Sequence, residues 1–474
     1  MLQTLKNAWR TPEIKKKIVF VLFILLLYRI GTVIPVPFVD AANFSRNFSG
    51  TIFSYMDTLS GGALSTATLF ALGISPYITA SIVIQLLCVA FPKKLGELGK
   101  TEEGKKKLNN ITRFVTILLA LVTAIGYYLL LANNGMVMTF ATKDGAGNWT
   151  WFLYAATIVI CFCAGAALIM WLAEKINENG LGNGISLILF ANIVAGTVSF
   201  FIRLGTVVSY SIKGQSTGGQ KALYGSLSVL FAVAVVAIIV GLTIFVIFIT
   251  GSERRIPVQY AKRVVGRKMM GGQNSTLPIK LNMTGVMPII FASSIISIPP
   301  TIMTLMGKSQ ESAAYKFFAP TGWFYPTMEF LLIIFFAYFY INISFDPVEV
   351  ANNLKKQGGT IPGIRQGRPT VDFIRKVLRR ITLIGALFLG IIAILPIIGS
   401  PLVMQPIIKA LIEDYYGSSV SSLAQTLAGT FTFGGTSLLI VVGVAQETFR
   451  ELEAQLTMRN YNGFLGVSVR ENRR

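Results

Sequence analysis

Three cysteines and no histidine are all the chain has of the side chains most used for metal binding and nucleophilic catalysis. Cys88, Cys161 and Cys163 lie inside apolar runs, and Cys161-Phe162-Cys163 lacks the two-residue gap of a redox or zinc pair. They read as small buried hydrophobes. Without histidine there is no serine–histidine–aspartate triad, no HExxH zinc site and no imidazole proton relay. A paired-aspartate membrane protease needs two intramembrane aspartates, and the apolar segments hold no such pair. The glycine-rich motif GLGNGIS (180–186) has no strand before it and no Walker lysine after it, so it reads as a helix start rather than a phosphate loop. The expectation is a non-enzyme with no catalytic residue, no metal ligand and no cofactor.

The remaining chemistry is charge. Lys and Arg number 42 against 21 Asp and Glu, a net +21. Much of it sits in two long stretches, 251–281 and 346–380, where Arg alternates with Gly and Pro turns that present guanidinium groups outward. Topogenic charge and attraction to anionic lipid account for part of this basicity. Docking of RNA-rich or acidic cytosolic partners is the sharper reading, and DNA is not expected.

These charges must be carried by a membrane scaffold. Charged residues make up only 13% of the chain, against about 25% in a soluble domain. Hydrophobic residues reach 53%, and the mean hydropathy is +0.63. Ten apolar runs approach the roughly 20 residues that cross a bilayer: 18–37, 68–91, 112–133, 150–172, 184–204, 225–250, 284–306, 326–345, 380–398 and 430–446. The first follows a basic stretch but is too long for a signal peptide and lacks a clean cleavage site, so it reads as an uncleaved span. Ten spans put both termini on one face. That face, with the even-numbered loops, then carries nearly all of the net positive charge, so the positive-inside rule places both termini in the cytoplasm.

The spans repeat. GISPYITASIVI (Gly73–Ile84, span 2) matches GVMPIIFASSII (Gly285–Ile296, span 7) at Gly, Pro, Ile, Ala, Ser and the final Ile. GISLIL (Gly184–Leu189, span 5) matches GTSLLI (Gly435–Ile440, span 10). Pairing 2 with 7 and 5 with 10 is what two five-span halves require, so the expected domains are 1–204 and 205–474. Each matched segment begins with glycine or proline and small residues, a composition that gives broken backbone, tolerated at membrane depth when it is buried or lines water. The segment 51–73, with Gly61-Gly62 at its middle, is therefore expected to dip into the membrane as a short helix and turn; the alternative is an amphipathic external loop. The midplane holds almost no ionisable residue: Arg29 and Glu329 lie near span ends, and Asp57 belongs to the dipping segment. The matched positions are aliphatic, Ile78 with Ile290 and Leu189 with Ile440. An aliphatic constriction excludes water and ions, whereas an inverted-repeat secondary transporter, the competing reading, needs a charged or substrate-clamping midplane.

The stretches SGGALSTATLFALGISPYITASIVIQLL (60–87), GLGNGISLILFANIVAG (180–196), YAKRVVGRK (260–268), NMTGVMPIIFASSI (282–295), NNLKKQGGTIPGIRQG (352–367) and FGGTSLLIVVGV (433–444) resemble the SecY family of protein-conducting channels, the bacterial form most. The resemblance runs through nearly the whole chain in order. It implies an all-α polytopic fold of ten transmembrane helices in two pseudo-symmetric halves around a pore, in the bacterial plasma membrane. It implies a pore ring at Ile74, Ile78, Ile185, Leu189, Ile290 and Ile440, with Leu189 standing where several relatives carry isoleucine. It implies a plug over about 54–66, including Ser54, Asp57, Ser60, Gly61, Gly62 and Ser65, and a lateral gate between spans 2 and 7 at Thr79, Gln85, Ser294 and Ile298. Ribosome or motor docking falls on Arg263, Arg267, Lys268 and Arg365; Lys268 stands where arginine is usual. The implied partners are the small membrane subunits SecE and SecG, the SecA ATPase, the ribosome, signal peptides and unfolded polypeptides. The tail, 450–474, has no expected role beyond cytosolic contact.

Overall fold

The computed structural model describes residues 6, 8–40, 57, 60–91, 101–138, 148–213, 219–260, 263–265, 268–270, 274–305, 312, 317–318, 322–399 and 434–471. The helices are α1 (Pro12–Gly31), α2 (Ser75–Ala90), α3 (Glu102–Asn133), α4 (Asn148–Asn179), α5 (Gly184–Lys213), α6 (Gly219–Gly251), α7 (Met287–Ile296), α8 (Ile298–Leu305), α9 (Phe324–Ser344), α10 (Pro347–Lys356), α11 (Arg368–Gly399) and α12 (Gly434–Glu471). Five strands intervene: β1 (Glu253–Tyr260), β2 (Arg263–Val265), β3 (Lys268–Met270), β4 (Asn274–Lys280) and β5 (Gly359–Thr360).

Among the described residues, α3, α4, α5, α6, α9 and α11 are long and apolar enough to cross a membrane. The ten expected spans exceed this number for physical reasons. α1 carries Lys15, Lys16, Lys17 and Arg29 within its length. α12 runs beyond its apolar start into a charged extension, and residues 430–433 of that expected span lie outside the described residues. Span 7 is a pair of short helices, α7 and α8, that meet at Ser297. α2 has 16 residues, about 24 Å of helix, against a hydrocarbon core of about 30 Å. The missing depth is made up by residues 60–74, which run as consecutive turns and are mostly buried. That burial contradicts an amphipathic external loop. Over these residues the dip is irregular backbone, and the short helix expected ahead of it falls mostly on 51–59, of which only Asp57 is among the described residues.

α2 and α7 begin alike. Gly73 (φ +59°) and Gly285 (φ +65°) each take a left-handed conformation two residues before the helix, and Pro76 and Pro288 each fill the second helical position. In each, a pair of amides bonds back to the cap carbonyl: Tyr77 and Ile78 to Ile74, Ile289 and Ile290 to Val286. Only glycine enters such a turn without strain, and proline suits a first turn whose amides lack helical partners. The second matched pair is alike in packing. A Cβ on Gly184 would strike the Ala173 carbonyl of α4, and one on Gly435 the Ile392 carbonyl of α11. Both helices therefore start pressed against backbone.

The basic stretches form one packed platform rather than two open loops. β1 pairs antiparallel with β4 from Glu253↔Lys280 to Gln259↔Asn274, and β5 adds at Gln259↔Thr360, giving the order β4-β1-β5. β2 and β3 pair as a separate ribbon. Ile256 and Val258 of β1 point into a core with Ile279, Leu354, Ile361, Ile374 and Val377, so residues from 251–281 and 346–380 share one interior. These strands were not expected. α10 is capped by Asp346, whose Oδ1 accepts from the Val348 amide at 2.8 Å, with Pro347 at its first position. α11 starts at Arg368, well before the apolar run at 380, because Thr370, Ile374, Val377 and Leu378 keep one face of the basic stretch buried.

Candidate functional site

α2, α5, α7 and α12 meet at the centre of the molecule. Ile74, Ile78, Leu189, Ile290 and Ile440 are each at most 3% exposed and belong to one apolar cluster, with Ile185 half-buried against it. All six expected ring residues therefore fall in one apolar core, five buried in it and Ile185 packed against it. Their helix starts explain the aim. Asn177 Oδ1 accepts from the Gly184 amide at 2.7 Å and Asn183 Oδ1 from the Ile185 amide at 3.0 Å, so GLGNGIS is an asparagine-capped helix start that orients Ile185 and Leu189. The paired turns at Gly73 and Gly285 do the same for Ile78 and Ile290.

A cavity of about 400 Å³ lies on the platform side of this cluster, lined by Asn183, Lys280, Asn282, Thr284, Glu447 and Arg450 among others. Burial first, and the Arg450 guanidinium second, hold the Lys280 ammonium below the usual lysine range. The cavity is thus lined by polar and charged side chains, whereas the cluster is aliphatic.

The turn-rich segment lies on the other side. Asp57 accepts at its carbonyl from the Gly62 amide (2.8 Å) and the Ser60 hydroxyl (3.0 Å), and at Oδ1 from the Ser65 amide (2.8 Å). Ser60 Oγ accepts from the Leu64 amide, and Ser65 Oγ donates to the Gly62 carbonyl. Four of the six expected plug residues, Asp57, Ser60, Gly62 and Ser65, therefore form one hydrogen-bonded knot that encloses Gly61; Ser54 lies outside the described residues. From around it, Tyr127 Oη donates to the Leu64 carbonyl at 2.6 Å, and Phe70 stacks on Tyr28.

α2 and α7 touch each other. Their polar side chains bond within their own helices: Thr79 Oγ1 to the Ser75 carbonyl, Gln85 Nε2 to Ser81 Oγ and Ser294 Oγ to the Ile290 carbonyl. Ile298, just past the break at Ser297, is 38% exposed. A seam of this kind separates without giving up the bonds these groups make. On the platform, Arg365 is exposed beside β5, and its carbonyl accepts from Thr370 Oγ1. Arg263 and Lys268 open β2 and β3, and Arg267 lies outside the described residues.

Two features escaped the sequence. Arg29 donates to the Gly61 carbonyl (Nη1, 3.4 Å) and the Ala191 carbonyl (Nη2, 3.1 Å), joining α1 to the knot and to α5. Its place near a span end hid this reach. Arg113 of α3 grips both oxygens of Glu174 on α4 through Nε, at 2.9 Å each. That pair joins residues 61 positions apart, which no local spacing announces. Glu329 in turn is 1% exposed, and its Oε2 has no hydrogen-bond partner among the described residues.

A family model described as SecY matches residues 68–449. The curated protein translocase subunit SecY of Streptomyces galbus is 40% identical over 98% of this chain and all of its own length. That of Halalkalibacterium halodurans is 41% identical with the same coverage. Among solved structures, one described as that of a protein conducting channel covers 92% of each chain at a TM-score of 0.55 and 18% identity. Another, on the plug domain of a SecY protein and its stabilisation of the closed channel, reaches 0.60 over 92% of this chain and 91% of its own, also at 18% identity. Sec61 in a canine ribosome–channel complex reaches 0.54 at 18% identity, covering 92% of both.

Proposed function

The chain belongs to the SecY family, and from that membership we propose that it is the central, channel-forming subunit of a protein translocase, passing unfolded secretory polypeptides across a membrane. It is a multi-pass membrane protein and a channel subunit rather than an enzyme. The observation that carries the reading is that six aliphatic side chains from the starts of α2, α5, α7 and α12 share one apolar core, five of them buried. Such a ring offers no charge or hydrogen bond to hold a passing chain, and it excludes water and ions when closed. The secondary-transporter reading finds no support.

In this reading Ile74, Ile78, Ile185, Leu189, Ile290 and Ile440 form the pore ring. The knot from Asp57 to Ser65 is the plug beneath it. The α2–α7 seam around Thr79, Gln85, Ser294 and Ile298 is the lateral gate. An apolar segment of about 20 residues gains several kcal/mol by leaving the pore for lipid, so a gate that opens sideways sorts membrane segments from secreted ones. The likeness of the α2 and α7 turns, and of the Gly184 and Gly435 contacts, supports two related halves meeting after residue 204. The basic platform, with Arg263, Arg267, Lys268 and Arg365, faces the cytoplasm in a bacterial plasma membrane and docks the ribosome or a SecA-type ATPase. Ribosome docking has support from the solved relative described in a ribosome complex. SecE and SecG complete the complex, and anionic lipid meets the remaining cations. The test is transport of an unfolded precursor into proteoliposomes containing the complex: protease-protected precursor is expected with this chain and not without it.

A further inference from the structure

Arg29 lies in the last turn of α1, twelve residues beyond Lys17, and it donates to backbone carbonyls on two different elements. One belongs to Gly61 of the knot. The other belongs to Ala191, two residues past the ring residue Leu189 on α5. The neighbouring residues complete a cradle. Asn192 Nδ2 donates to Tyr28 Oη at 2.8 Å, locking α1 to α5 on the same level. Gly61 sits between them in a left-handed conformation (φ +71°), where a Cβ would meet Asn192 Oδ1 at 2.9 Å and Arg29 Nη1 at 3.0 Å. Any side chain there would thus be strained in backbone and pressed against both partners. The knot is therefore held by a cradle matched to bare backbone.

We propose that Arg29, with Asn192, is the positioning residue that latches the plug beneath the pore ring, so that releasing the Gly61 carbonyl is a required step of opening. This rests on the channel reading of the ring and the segment. A guanidinium has the fork to hold two carbonyls at once, whereas a lysine ammonium is a single point charge on a flexible stem. The bond is charge-assisted, and it adds to the tie that Tyr127 Oη makes to the Leu64 carbonyl. The latch sits at the joint of α1 and α5.

The experiment uses the complete membrane complex in planar bilayers and in cells exporting a reporter with a weakened signal segment. Arg29→Ala is expected to raise resting ion leak about tenfold, the equivalent of about 1.4 kcal/mol. It should also raise export of the weak-signal reporter, a gain that a misfolded channel cannot give. Arg29→Lys should leak less than Arg29→Ala, and Asn192→Ala should leak more than the parent. Leak and signal discrimination unchanged in Arg29→Ala, with normal export of ordinary precursors, would overturn the latch. Failure of the unsubstituted complex to export any precursor would instead overturn the channel reading on which the latch depends.

Discussion

Replacing Ile78 and Ile290 together with serine is the perturbation that bears hardest on the ring. Both side chains are 3% exposed and pack in the central cluster, one from each of the two helices with matching starts. Keeping a buried isoleucine side chain out of water is worth about 1.5–3 kcal/mol, so the pair contributes about 3–6 kcal/mol to holding the constriction dry. Each 1.4 kcal/mol is a factor of ten in population, so the hydrated, conducting form should rise by about 10² to 10⁴. The assay is resting conductance of the purified complex in planar bilayers. The matched control is Ile78→Leu with Ile290→Leu, which conserves volume and apolarity and should remain sealed. The serine variant also loses packing, so its melting temperature and elution profile are measured alongside. A well-folded serine variant with parental conductance would refute the reasoning, because the seal would then reside elsewhere.

Other consequences are open to test. Arg365→Glu should abolish export while shifting thermal stability little, since the side chain is exposed and surface changes usually stay within about 0.5 kcal/mol; pulse-chase export with a melting curve reads both. Cysteine pairs placed across the α2–α7 seam around Thr79 and Ser294 should crosslink on oxidation and block entry of signal segments, with reductant restoring entry. Gly285→Ala should lower the melting temperature by the equivalent of about 1–2 kcal/mol, because the left-handed backbone at φ +65° is forced on a residue with a Cβ. Arg113→Met should destabilise more than Arg113→Met combined with Glu174→Met, since the single change strands a carboxylate whose side chain is 13% exposed; paired melting curves decide it.

What could be read from the sequence follows from what is local. The apolar runs, the aliphatic ring positions and the matched glycine–proline starts are set by a few adjacent residues. The structure brings the ring positions together and repeats the starts in backbone geometry. The hairpin of β1 and β4 was hidden because its core, Ile256 and Val258 against Ile279, is completed by Leu354 and Ile374 from a distant stretch, leaving a sequence that looks merely basic. The break at Ser297 was hidden because Ile298-Pro299-Pro300 continues the apolar run without a polar interruption. Residues 60–74 were legible as buried, through their glycines and small side chains. Their path was not, since Leu69 bonding to the Ile34 carbonyl and Val36 to the Ala67 carbonyl depend on a partner segment. Arg29 shows the same limit: a cation near the end of a span reads as an interface anchor until the carbonyls it reaches are known.

The central claim is that a polypeptide passes through the ring. A precursor arrested midway by a folded C-terminal domain, carrying a single cysteine in the trapped stretch, tests it against Ile290→Cys and Phe248→Cys channels. Ile290 is one of the proposed ring residues, whereas Phe248 is 75% exposed on α6, the least covered of the long apolar helices among the described residues. The account predicts disulfide formation with the cysteine at 290 and none with that at 248. Crosslinking at 248 but not at 290 would place the polypeptide outside the ring and contradict it.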